Sequence, residues 1–157
     1  MPIRDARPEE TETLATLWHD GWHDAHAALV PQPLVTLRTL ESFRARTATH
    51  LDEMRVVEHS GRVAGFFYLR GDELDQFYVA AEARGTGAAA ALIADAEDGL
   101  RAAGVTTAWL ACAVGNERAA RFYEKSGWRR AATIDFATET TAGPFVLQAW
   151  RYEKKLA

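Results

Sequence analysis

The sequence predicts an α+β fold: a mixed, mainly antiparallel central sheet flanked by helices, in the order β-α-α-β-β-β-α-β-α-β-β. Three observations carry that expectation. Hydrophobic spacing is helical up to about His50 and becomes extended from Met54 onward. The three apolar runs that follow this first part are separated by tight turns, which marks an antiparallel meander. Beyond Val79, helical and extended stretches alternate, returning the chain repeatedly to one sheet.

Ile3 to Ala6 reads as a short first strand, and Pro8 with Glu9 and Glu10 suits the opening of a helix. Leu14, Leu17, Trp18, Trp22 and Ala25 continue it until Pro31 and Pro33 end the pattern. A second amphipathic helix is predicted from Leu34 to about His50, with Leu37, Leu40 and Phe43 on one side. Strands then follow at Arg55–His59, Val63–Leu69 and Leu74–Val79, joined at Ser60-Gly61 and at Arg70-Gly71-Asp72. A helix from about Ala88 to Ala103 places Leu92, Ile93, Ala96 and Leu100 toward a core and stops at Gly104. The remaining elements are a strand at Thr107–Ala113, a helix at about Glu117–Ser126, and strands at Trp128–Phe136 and Phe145–Glu153.

At 157 residues the chain has the length of one domain, which directs the search to one site. A net charge of −4 repels polyanions at long range, so nucleic acid is not expected as a partner. No run is long enough to span a membrane and the N-terminus lacks a signal-peptide core, so no membrane association and a cytoplasmic location are expected. The single cysteine, Cys112, lies in the apolar run Ala108–Ala113 and reads as a buried strand position, not a nucleophile.

The segment Arg84-Gly85-Thr86-Gly87-Ala88-Ala89 joins a strand to a helix through residues with small side chains. Such a loop lets a phosphate reach free backbone N–H groups at the positive end of a helix. A Walker A loop is excluded, because Gly-Lys-Ser/Thr is missing. The glycines fit a relaxed dinucleotide fingerprint, but their strand belongs to a meander and the next strand ends without an acid, which argues against an NAD-type site. Arg84-x-x-Gly87-x-Ala89 instead resembles the pyrophosphate signature of the GNAT superfamily of N-acetyltransferases. Asn116-x-x-Ala119-x-x-Phe122-Tyr123-x-x-x-Gly127-Trp128 resembles that superfamily's later cofactor-site helix at every defined position. With the element order from Val56 to Glu153, the resemblance covers about two-thirds of the chain.

The resemblance implies an acetyl-CoA-dependent acyltransferase with a helical acceptor-side cap over residues 1–50 and an acetyl-CoA-binding core over 54–157. It implies that the backbone N–H groups of Arg84, Gly85, Thr86, Gly87, Ala88 and Ala89 grip the pyrophosphate. The pantetheine arm would run along Phe77, Tyr78 and Val79 like an added strand, toward a point where two strands splay. A backbone N–H near these residues would stabilise the oxyanion. Tyr123 would be the general acid toward the departing thiolate, and Asn116 either caps its helix or hydrogen-bonds the arm. Attack is expected to be direct, since no cysteine or serine is placed with a base. A catalytically silent acyl-CoA-binding module is the alternative, and the presence of Tyr123 favours the enzyme.

The acceptor is expected to be a small-molecule or peptide amine. A lysine-like amine of pKa ~10.4 is neutral in about one molecule per thousand at pH 7, so a base matters. Asp75 is the candidate base, with Glu73, His19, His23 and His26 behind it. His19, His23 and His26 share a helix face, yet HxxxH spacing alone is a weak metal signal and no metal is expected. Trp18, Trp22 and His23 are the candidate acceptor-pocket residues. An exposed strand edge around Phe145 to Tyr152 makes a homodimer an open possibility.

Overall fold

The computed structural model describes residues 1–157 and contains seven strands in one sheet, ordered β1-β2-β3-β4-β5-β7-β6. These are β1 (Ile3–Asp5), β2 (Arg55–His59), β3 (Arg62–Arg70), β4 (Glu73–Val79), β5 (Thr107–Ala113), β6 (Arg129–Thr138) and β7 (Phe145–Lys155). Five helices flank them: α1 (Thr11–His26), α2 (Gln32–Leu37), α3 (Leu40–His50), α4 (Ala88–Ala102) and α5 (Glu117–Lys125). The α+β class and the mainly antiparallel sheet are those the sequence predicts. Every neighbouring pair is antiparallel except β4 with β5. No helix is long and apolar enough to cross a membrane.

Alternation along the strands divides the core between two faces. On one face Val57, Ala64, Phe67, Leu74 and Leu110 pack with Leu92, Ile93, Ala96 and Leu100 of α4 and with Tyr123 of α5. On the other, Val56, Phe66 and Tyr68 pack with Leu14, Trp18 and Trp22 of α1 and Phe43 of α3.

Two expectations need correction. The helix predicted over Leu34–His50 is two helices, broken at Arg38, whose ψ of 59° is not helical. Thr39 restarts the chain as an N-cap, its hydroxyl accepting from the Ser42 N–H at 3.1 Å. Arg38 is anchored in place: its carbonyl accepts from His23 Nε2 at 2.6 Å, and its guanidinium donates to Glu139 O at 2.7 Å and Thr138 Oγ1 at 2.9 Å. The second correction concerns β7. It lies between β5 and β6, paired with β6 over Phe145–Glu153 and with β5 over Ala149–Lys155, so the outer edge of the sheet belongs to β6 and dimerisation through Phe145–Tyr152 loses most of the edge it was argued from.

The parallel pair is the feature that shapes the site. β4 and β5 share one register point, Glu73 opposite Trp109, and then diverge. Trp109 is tied there to the β3–β4 turn, its backbone N–H donating to Asp72 O at 3.1 Å and its indole N–H to Asp72 Oδ1 at 3.0 Å. Just beyond, the β3–β4 register slips between Tyr68 and Leu69, leaving Asp75 as the extra residue of a bulge. A bulge bends its strand and re-aims side chains.

Close packing of β3 on β4 holds the far end of this divergence. A Cβ at Gly65 would lie 2.7 Å from Tyr78 O and 3.2 Å from Val79 Cα, both backbone atoms of the diverging strand. Gly65→Ala is therefore expected to destabilise the protein by about 1–3 kcal/mol, because the backbone must move to admit it. Urea unfolding checks this; a variant as stable as the parent would mean that the strands yield without cost.

Candidate active site

Where the strands part, a row of three spaces with shared lining residues crosses the sheet. On the side of α4 and α5 lies a cleft of about 400 Å³, lined by Phe77, Tyr78 and Val79 of β4, by the Arg84–Ala90 loop and by Asn116, Ala119, Phe122 and Tyr123. In the middle is a throat of about 130 Å³ between β4 and β5, bounded by Asp75–Tyr78, Leu110–Ala113 and Tyr123. On the side of α2, α3 and the β6–β7 loop lies a polar cavity of about 540 Å³ containing Arg38, Arg46, Glu73 and Asp75. Phe77, Tyr78, Asn116 and Tyr123 line both cleft and throat. Arg38, Arg46, Asp75 and Gln76 line both throat and polar cavity.

The loop ahead of α4 is built from glycines and other small residues and turns sharply into the helix. Gly85 and Gly87 sit at φ of +78° and +90°, a region L side chains rarely occupy. Not all of its N–H groups are free, however. Those of Arg84, Thr86 and Ala88 are spent inside the loop, on Ala81 O, Ala83 O and Thr86 Oγ1. The N–H groups of Gly85, Gly87, Ala89 and Ala90 keep no protein partner and stand at the head of α4, where the helix dipole favours negative charge.

Asp24 of α1 spans the cleft mouth, its carboxylate 2.8 Å from Arg84 and 3.2 Å from Arg118. These two arginines hold the Asp24 carboxyl below its ordinary value. Gly21, one turn earlier, brings α1 onto the Tyr78 ring, where a Cβ would come within 2.8 Å of Cδ1. Asp24, Gly21, Arg118 and Ala90 all border the cleft, and none was expected from sequence. Ala90 alone had a readable signal, as the next N–H of the same helix start.

Tyr123 is 8% exposed and sits against Phe77, Phe122 and Trp128. Burial pushes its phenol well above the ordinary value, so it stays protonated at neutral pH. The Asn116 side chain accepts from the Ala119 N–H at 3.4 Å, capping α5 while it borders cleft and throat. Cys112 lines the throat, and burial pushes its thiol up to about 12, the opposite of what a nucleophile needs.

The cap residues separate. Trp18 is fully buried against Phe43, Phe66 and Tyr68 and reaches none of the three spaces; it is a core side chain, which corrects its expected place in a pocket. Trp22 borders the throat. His23 is engaged with the Arg38 carbonyl and supports the wall from behind. His26 also borders the throat; burial lowers it to about 4, so its ring is neutral. His19 turns to Asp20 at 2.9 Å. The acids differ from the histidines: Asp75 lies at the throat, 3.4 Å from Arg70, and Glu73 faces the polar cavity.

The acetyltransferase (GNAT) family profile matches residues 12–128. An uncharacterized N-acetyltransferase of Mycobacterium tuberculosis is 34% identical over a stretch covering 69% of this chain and 76% of that protein. Among solved structures, a GCN5-related N-acetyltransferase from Rhodopseudomonas palustris shares the fold with a TM-score of 0.76 at 18% identity, covering 98% of this chain and 94% of its own. The PaiA N-acetyltransferase from Thermoplasma acidophilum, in complex with coenzyme A, gives a TM-score of 0.69 at 19% identity, with 98% of each chain covered.

Burial, with the Asp75 charge adding to it, pushes the Glu73 carboxyl from 4.5 up to about 7. A raised acid favours folding fully below 4.5, and that contribution is lost as pH rises through about 7. The loss amounts to at most about 3 kcal/mol. Glu73→Gln should therefore be more stable than the parent at pH 8, with the difference shrinking toward pH 4.5. Urea titrations at both pH values measure it, and a difference independent of pH would remove the claim.

Proposed function

Because the chain belongs to the acetyltransferase (GNAT) family, we propose that it carries an acetyl group from acetyl-CoA to a primary amine by direct attack across the throat. The observation that carries this reading is that Tyr123 borders both cleft and throat, while Asp75 borders both throat and polar cavity. Donor and acceptor would thus enter from opposite sides and meet where β4 has left β5.

On the donor side, the N–H groups of Gly85, Gly87, Ala89 and Ala90 receive the pyrophosphate. Phe77–Val79 supply a strand edge free of β5, along which the pantetheine amides can pair, with a backbone N–H left for the oxyanion. The acetyl group then lies at the throat. That coenzyme A is held by the PaiA structure supports this assignment of the cleft.

In the transfer, the amine nitrogen bonds to the thioester carbon and the C–S bond breaks. Asp75 takes the proton that the amine loses, and the Tyr123 hydroxyl gives one to the departing sulfur; exchange with solvent restores both between turnovers. A phenol of raised pKa is a weak acid, but the throat also alters the sulfur. Burial raises the Cys112 thiol in the throat wall, and the same desolvation would make a thiolate released there more basic than in water. The same burial keeps Cys112 from forming an acyl-enzyme.

Three variants measured in single turnover test this scheme. Tyr123→Phe should retain acetyl-CoA affinity and lose about 10²-fold or more in transfer rate. Asp75→Asn should lose a similar factor, most severely with amines of high pKa. Cys112→Ala should transfer at close to the parental rate. Normal transfer by Tyr123→Phe would reduce Tyr123 to packing, and loss of transfer in Cys112→Ala would reopen a covalent route. On the donor side, Gly87→Asp puts a negative side chain at a position of φ +90° beside the phosphate site, and should weaken acetyl-CoA binding at least tenfold by calorimetry. Unchanged affinity in the folded variant would move the phosphates elsewhere.

A further inference from the structure

Two guanidinium groups in the polar cavity lack what buried charges ordinarily have. Arg46 projects from α3 across an aromatic floor, with Cζ 4.2 Å from the Trp18 ring and 5.4 Å from that of Phe43. Its Nη1 is buried without a partner, and burial lowers its pKa. Arg38 is 2% exposed, with its Nη atoms on neutral oxygens and its Nε buried without a partner. Burial, together with the charge of Arg46, brings it down to about 10. No ion pair of the chain includes either residue, although acids outnumber bases, 22 to 18. The acid across the cavity, Asp75, is turned to Arg70 and to the Gln76 amide.

Arg38 is buried and its neighbour Arg46 half-buried, neither has an ion-pair partner, and the carboxylates of Asp75 and Glu139 act on Arg46 only from a distance; such charges are costly, and an anion supplied from outside relieves both. A guanidinium fork matches a planar carboxylate in particular. The opposite wall carries Asp75 and Glu73 of β4, and Arg70 and Glu139 also line the cavity, so Arg38 and Arg46 form its cationic side and β4 supplies the acids that face them. Its volume of about 540 Å³ suits one small molecule.

We infer that the acceptor is a zwitterion of the amino-acid class, its carboxylate held by Arg38 and Arg46 and its amine directed to Asp75 at the throat. The inference rests on the acetyl-transfer reading above and narrows it. Polycationic acceptors are disfavoured, since their second charge would meet the arginines.

Product binding tests the anion site without requiring turnover. The protein saturated with coenzyme A is titrated calorimetrically with N-acetyl amino acids, with the corresponding N-acetyl amino amides, and with N-acetyl aminoalkyl phosphates. At least one acid should bind tenfold or more tightly than its amide. Arg46→Met keeps the stem over Trp18 and should bring that ratio below threefold, with coenzyme A affinity reporting an intact fold. Arg46→Lys, which keeps the charge and loses the fork, should fall between. Amides binding as well as acids, or an acid preference untouched in Arg46→Met, would overturn the inference. Preference for the phosphate would overturn the amino-acid assignment. A parallel assay of free thiol release with the free amino acids, amino amides and polyamines separates the two levels: transfer without preference for acids sinks the zwitterion and spares the transferase, whereas acid-selective product binding without transfer to any amine sinks the transferase reading.

Discussion

The structure depends on one parallel contact. β4 and β5 meet only at Glu73 and Trp109, and two hydrogen bonds from Trp109 to Asp72 fasten the chain there. Were the strands paired throughout, their backbone groups would satisfy one another and the sheet would be closed. Because they part, a stretch of β4 edge is left without a strand on that side, inside the molecule and not at its rim. An unpaired interior edge is costly unless something pairs with it, and it lends itself to an extended ligand carrying amides. The bulge at Asp75 and the glycines at 21 and 65 serve the same opening, one by bending β4 and the others by letting α1 and β3 approach it.

Much of this was legible in the residues, for reasons that can be named. Strands and helices of the second half alternate in period and are punctuated by glycines, and the Arg84–Ala89 and Asn116–Trp128 patterns mark two helix starts through local backbone requirements. What local patterns do not carry is the order of strands in space, so β7 read as an edge when it is flanked on both sides. The break at Arg38 left a trace in Thr39 and Ser42, a capping pair, but Leu37, Leu40 and Phe43 keep helical spacing across it. Trp18 and Trp22 are one turn apart and alike in sequence terms. Only packing shows that the first is enclosed by Phe43, Phe66 and Tyr68 while the second reaches the throat. Asp24 and Arg38 act through partners far along the chain, and Arg46 is marked by a buried Nη1 without one, none of which a spacing rule encodes.

The two ends of the row differ in how they treat charge. The cleft presents backbone N–H groups and a helix dipole, fixed partial charges that neither titrate nor depend on side-chain rotamers. The polar cavity presents whole charges on side chains, arginines from the helical cap and acids from β4. A cleft lined by backbone accepts whatever side chains lie around it, so long as they are small. A cavity lined by side chains can be redrawn one substitution at a time, and Arg38 between α2 and α3, α3 itself and the β6–β7 loop lie apart from the α4 loop and α5 that line the cleft.

Asp24 gives the cleft a resident anion of its own. Arg84 and Arg118 converge on its one carboxylate, and with all three side chains about half exposed these pairs are weak and open to exchange. Any anion drawn to those two arginines has to compete with that carboxylate, so what they can add to its hold is the difference between two ion pairs, not the worth of one.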